Sequence, residues 1–149
     1  MGKGPRGAAR APGDGGARLD RLILDTTVLV SAERQRVSID RAIADDDDVA
    51  IAAVTAAELL VGVELAGAEQ RDQRAAFVQD VLETISVEDY TLATARVHAR
   101  LLASVRAAGT PRGAHDLIIA ATAAATERAV VTMDARGFQD LPGVDVRVV

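Results

Sequence analysis

The chain has 149 residues, a formal net charge of −5, 49% hydrophobic and 2% aromatic residues, and no cysteine. That length suits one domain with a sizeable aliphatic core. The missing cysteines exclude a disulfide framework and thiolate chemistry, and the scarcity of rings excludes a binder that stacks single-stranded bases. The acidic balance also speaks against a broad electrostatic clamp on nucleic acid, so any such contact must lean on local phosphate binding and metal.

Lysine occurs only at Lys3, so the positive charge of the folded part is arginine, which suits bidentate phosphate contacts. The longest apolar stretch, 117–125, is too short and too broken by Thr122 to cross a bilayer, and no apolar core like that of a signal peptide opens the chain. A protein of the cytoplasm without membrane association is expected.

Residues 1–20 are Gly, Ala, Pro and Arg with almost nothing large and apolar, which predicts a flexible arm whose Lys3, Arg6, Arg10 and Arg18 can touch phosphate. The folded domain is expected over 21–149. Leu22-Ile23-Leu24 reads as a buried parallel strand that delivers Asp25 at its C-terminal tip. A helix follows over 26–34 with Val28, Leu29 and Ala32 inward, and Ser38 caps a second short helix carrying Ile39, Ala42 and Ile43. In the run Asp45-Asp46-Asp47-Asp48 successive side chains diverge and repel, which predicts a solvated loop outside any site.

The stretch 49–54 reads as a strand buried on both faces. Thr55 then matches the start of a capping box with Glu58, so closing a helix end stands beside any chemical role for Glu58. Gly62 within that helix predicts close packing. Residues 68–82 form an amphipathic helix with Ala75, Val78, Val81 and Leu82 on one side, and 85–87 a short strand. Asp89 or Thr91 starts the next helix, with Leu92, Ala95, Ala99, Leu102 and Val105 as its apolar stripe.

Residues 109–113 are turn chemistry, after which His115 and Asp116 open an apolar helix through Ala125. A strand over 129–132 ends just before Asp134, Phe138 and Leu141 pack back, Pro142-Gly143 turns, and 144–149 supplies a last strand. Alternating strands and helices predict an α/β fold with a parallel sheet between helical layers.

In an open parallel sheet the ligand crevice lies outside the C-terminal strand ends. Asp25, Asp134 and the flank of Glu58 fall at that edge, and Asp116 reaches it from its helix start. Carboxylates sharing a small volume raise one another's pKa, and a divalent cation resolves the conflict. Oxygen donors, with His115 as the sole nearby imidazole, favour Mg²⁺, or Mn²⁺, over Zn²⁺. Such an ion suits phosphodiester hydrolysis. Thr27 either holds a metal-bound water or caps its helix, and each acid taken singly also fits a cap or a turn. Their joint spacing carries the argument.

The ordered motifs are Leu24-Asp25-Thr26-Thr27-Val28, Thr55-Ala56-Ala57-Glu58-Leu59 with Gly62, Arg112 through Ala120, and Thr132-Met133-Asp134 with Phe138 and Leu141-Pro142-Gly143. Together, over 22–149, they resemble a PIN domain of the VapC toxin type. The resemblance implies a three-layer α/β/α sandwich with a mostly parallel five-stranded sheet, and a Mg²⁺-dependent endoribonuclease acting as the toxin of a type II toxin-antitoxin pair. It also implies a cognate VapB antitoxin, a homodimer and a toxin-antitoxin hetero-oligomer. It makes Asp25 and Asp116 the principal metal ligands, Glu58 the completion of the acidic cluster, and Asp134 a fourth acid of more variable role. Thr27 matches the small hydroxyl two positions after the first aspartate.

His115 stands where family members often carry Asn, and an imidazole there can contact phosphate, move a proton or make a structural hydrogen bond. Arg112 and Arg136 flank the site and can hold phosphates. The apolar faces of the helices expected over 26–44 and 55–82 offer the antitoxin a docking surface from which an arginine can reach the acids. A receiver domain and a P-loop nucleotide binder both need a lysine that is absent, and a haloacid-dehalogenase-type phosphatase needs an acid where Thr27 stands. A catalytically inactive PIN-fold interaction or regulatory module is the alternative.

Overall fold

The computed structural model describes residues 20–35 and 47–149. The arm over 1–19, the helix expected around Ser38, and Asp45 and Asp46 lie outside the described residues. The described chain runs β1 (Arg21–Leu24), α1 (Thr26–Gln35), β2 (Asp48–Ala52), α2 (Ala53–Glu64), α3 (Ala68–Thr84), β3 (Ser86–Glu88), α4 (Leu92–Ala108), α5 (Ala114–Ala125), β4 (Ala129–Thr132), a 3₁₀ turn (Ala135–Gly137) and β5 (Val146–Val148). The five strands form one sheet in the order β3-β2-β1-β4-β5, and each adjacent pair is parallel. From β1 the chain builds outward to β2 and β3, then returns to the other side for β4 and β5. This reversal opens a crevice between the C-terminal ends of β1 and β4.

Side-chain alternation along the strands feeds two cores. Leu22 and Leu24 of β1, Ile51 of β2, and Ala129 and Val131 of β4 pack with Val28, Leu29 and Ala32 of α1, Leu59 of α2, and Val78 and Val81 of α3. Ile23, Ala52 and Val130 face the other way, onto Leu101 and Val105 of α4, a row of α5 from Leu117 to Ala123, and Phe138 and Leu141. The result is the three-layer sandwich expected from the alternating pattern. Phe138, only 1% exposed, closes the second core, and burial of such a side chain contributes about 1.5–3 kcal/mol. Among the described residues no helix is long and apolar enough to cross a membrane.

Several local expectations are corrected. Thr55 does not cap α2: the helix begins at Ala53, its N-cap is Ala52, and no side chain supplies the cap hydrogen bond. Strand β2 therefore ends earlier than expected, because the helix already takes up Ala53 and Val54. Gly62 is not a close-packing device, since a Cβ there would meet Arg74 Cδ at an ordinary 3.8 Å. Asp48 is not in a solvated loop. It opens β2 and pairs with Arg21 Nη1 at 2.6 Å and with the buried Arg128 Nη1 at 3.0 Å.

The buried stripe of α4 is Thr94, Leu101 and Val105, whereas Leu92 is 68% exposed. Thr91 caps that helix by accepting from Thr94 N, which turns Thr94 inward and leaves Leu92 on the outside. At the other end of α4, Gly109 adopts φ 68°, a conformation that favours glycine, and ends the helix. Strand β5 is three residues long, shorter than the stretch expected after the Pro142-Gly143 turn.

Candidate active site

Asp25 follows β1 directly, and its backbone N–H continues the ladder to Val131 O at 2.9 Å. The side chain is 5% exposed and accepts three hydrogen bonds. Its Oδ1 accepts from Thr26 N at 2.8 Å, and its Oδ2 accepts from Thr27 Oγ1 at 2.9 Å and from Thr132 Oγ1 at 2.8 Å. Thr132, the last residue of β4 and fully buried, also accepts from Asp134 N at 3.0 Å. Thr27 Oγ1 in turn accepts from Met133 N at 3.2 Å. These bonds staple the ends of β1 and β4 together at the crevice.

Local sequence pattern gives Thr132 no role of its own. Its position two residues before Asp134 mirrors that of Thr27 two residues after Asp25, and this symmetry is the signal that the sequence carries for it.

Glu58 projects from α2 and is held from two directions. Thr26 Oγ1 donates to its Oε1 at 2.8 Å, and His115 Nδ1 lies 3.1 Å from its Oε2. With the capping box absent, this carboxylate serves as a bridge between α1, α2 and α5. Asp116 stands in the first turn of α5. Burial, and then the negative charges of Asp25, Glu58 and Asp134, push its carboxyl above the usual aspartate range, with His115 opposing. Asp116 thus feels the charge of the other three acids.

Asp134 is engaged differently. It caps the 3₁₀ turn by accepting from Arg136 N at 3.0 Å, and Arg136 Nε and Nη2 grip both its oxygens, the shortest contact being 2.6 Å. Hydrogen bonding from the Arg136 side chain, then from its backbone, holds the Asp134 carboxyl down at about 2. Arg112 reaches from the turn before α5 to donate to Gln139 O at 3.0 Å. Among the described residues no three carboxylate or imidazole groups already surround a common point in metal-binding geometry. A groove of about 470 Å³ runs along α1 from Thr26 and Thr27 to Arg34 and Gln35, with Val30, Ser31 and Met133 in its lining.

The PIN domain family model matches residues 22–144, from the first residues of the central strand to the turn before β5. The chain belongs to the PIN domain family. Within it, the chain is 39% identical over 115 residues to the ribonuclease VapC5 of Mycobacterium tuberculosis, covering 75% of this chain and 82% of that protein. It is 28% identical over 129 residues to a ribonuclease VapC of Rickettsia bellii, covering 86% of this chain and 96% of that one.

Among solved structures, the VapBC-5 toxin-antitoxin structure from M. tuberculosis superposes with a TM-score of 0.70 at 32% identity, over 85% of this chain and 97% of that one. A promoter-bound VapBC2 structure from Rickettsia felis superposes with a TM-score of 0.77 over 86% and 98%. Its 21% identity bears on the fold alone. The PIN-domain architecture expected from the ordered motifs is the one observed.

Proposed function

We propose that this PIN domain is a metal-dependent endoribonuclease that hydrolyses RNA phosphodiester bonds and acts as the toxin of a type II toxin-antitoxin pair. The observation that supports the reading is the run of contacts from Asp25 through Thr26 to Glu58 and on to His115, the chain neighbour of Asp116, in a chain whose relatives are named VapC ribonucleases. Carboxylate oxygens are the donors that Mg²⁺ and Mn²⁺ prefer. Asp25, Glu58 and Asp116 would hold the ion, with Asp134 as a fourth acid once Arg136 releases it. Held there, such an ion would supply Lewis acidity for phosphodiester hydrolysis and would lower the pKa of a water.

The chain's own residues bind and orient the RNA. Arg112, fixed against Gln139 O, and the exposed Arg136 contact phosphates on either side of the cut. Thr27 and Thr132 hold the Asp25 carboxylate in place. Thr27 would orient a water, and His115 would meet a phosphate oxygen.

A VapB-type antitoxin fits the exposed Leu60, Val61 and Leu65 at the end of α2 and the groove along α1, with an arginine directed at the acids. A homodimer, a hetero-oligomer with that antitoxin, and a cytoplasmic setting complete the reading.

The test is cleavage of a defined RNA by purified protein with and without Mg²⁺, for the wild type and for Asp25→Asn. Cleavage that needs the ion and is abolished by the substitution supports the reading. A second reading, an inactive PIN-fold interaction or regulatory module, draws on the Arg136 grip that keeps Asp134 occupied. Tight partner binding with no cleavage under any divalent ion would select it.

A further inference from the structure

Two glycines from distant parts of the chain converge on one carboxylate oxygen. A Cβ placed on Gly137, in the 3₁₀ turn, would stand 2.4 Å from Asp116 Oδ2 and 2.9 Å from its Cγ. One placed on Gly113, just before α5, would stand 3.2 Å from the same oxygen. Backbone conformation does not explain glycine at either position, because the positive-φ glycines are Gly109 and Gly143. The three atoms nearest to a Cβ at 137 all belong to Asp116. What the missing side chain accommodates is therefore this carboxylate.

A contact of 2.4 Å between a methyl carbon and a carboxylate oxygen is deep in the repulsive range, so one of the two groups must move. The backbone of the 3₁₀ turn is tied down by Phe138 N donating to Ala135 O at 2.9 Å and by the burial of Phe138 in the second core. Asp116 is only partly buried and turns about two side-chain bonds. The carboxylate moves, and the fold persists.

We propose that Gly137 is a positioning residue: its bare backbone seats the Asp116 carboxylate toward Asp25 and Glu58, and any side chain at 137 displaces it and weakens the hold on a divalent cation. Gly113 borders the same oxygen with a looser fit. The inference rests on the reading of Asp116 as a metal ligand.

The experiment titrates Mn²⁺ calorimetrically into the metal-free full chain of the wild type, Gly137→Ala, Asp116→Ala and the double variant, with thermal melts alongside. Gly137→Ala is expected to bind Mn²⁺ about tenfold or more weakly, the range seen when a group that orients a metal ligand is lost, while its metal-free melt stays near that of the wild type. At saturating Mn²⁺ its RNA cleavage loses kcat and keeps KM. The double variant should match Asp116→Ala, since without the carboxylate there is nothing to displace.

Wild-type Mn²⁺ affinity in Gly137→Ala, with binding lost in Asp116→Ala, overturns the role of the glycine alone. Undiminished binding in Asp116→Ala overturns the underlying ligand assignment instead. If Gly137→Ala does not fold, a double variant that folds like Asp116→Ala upholds the collision, and one that also fails to fold refutes it.

Discussion

Replacing Thr132 by Val tests the network that holds Asp25. The substitution keeps the branched shape and deletes the hydroxyl that donates to Asp25 Oδ2 at 2.8 Å and accepts from Asp134 N at 3.0 Å, at a residue with no exposed surface. A hydrogen bond to an ionised group contributes about 1.5–3 kcal/mol, and a neutral one about 1 kcal/mol, so the combined loss is about 3 kcal/mol. A domain of this size shifts by about 3 °C for each kcal/mol, which puts the expected fall in melting temperature at about 9 °C.

The assay is thermal unfolding of the metal-free protein followed by circular dichroism, with Thr132→Ser as the control. Serine keeps the hydroxyl and gives up a methyl group, for about 1 kcal/mol. A valine variant melting within about 2 °C of the wild type, or no more perturbed than the serine variant, would refute the claim that this hydroxyl anchors the site.

Three further substitutions probe the charge and packing logic. The Asp116 carboxyl is raised above 3.8 in the folded protein, so the folded state holds its proton more tightly than the unfolded chain does. Stability therefore falls as pH rises through the window from 3.8 up to the folded value. Asp116→Asn should melt higher than the wild type at neutral pH without metal, and the advantage should vanish as pH drops below that window. An advantage that does not change with pH would contradict the crowding.

Arg128→Met removes a buried guanidinium that donates to Leu22 O and Asp48 O and pairs with Asp48 and Glu88 at 3.0 Å each. Its expected cost is about 3–5 kcal/mol, read as a lower urea midpoint at unchanged slope. Thr55 Oγ1 is buried and finds no hydrogen-bond partner among the described residues, so Thr55→Val should raise stability by about 1 kcal/mol in the same titration.

The order of elements was legible in the sequence because each is written in local patterns. The apolar run before Asp25, the helical spacing of Val28, Leu29 and Ala32, and the Thr91 cap all act over a few residues, and each reappears in the structure. Asp25 stands out in the sequence because an acid directly after a buried strand is conspicuous against its neighbours. Where sequence patterns misled, a nonlocal partner prevailed. Glu58 matches a capping box on paper, but Thr26 and His115 claim its carboxylate. Asp48 looks like part of a solvated run, but Arg21 and Arg128 draw it into the sheet.

Composition, periodicity and motif spacing by themselves determined the α/β class and the parallel sheet. Only the tertiary structure decided that Thr132 braces Asp25, that Arg136 occupies Asp134, and that Gly137 leaves room for Asp116. The physical reason is range. Secondary structure follows from side chains a turn or a pleat apart, whereas a hydrogen bond or a steric contact joins atoms whose separation along the chain carries no record of their distance in space.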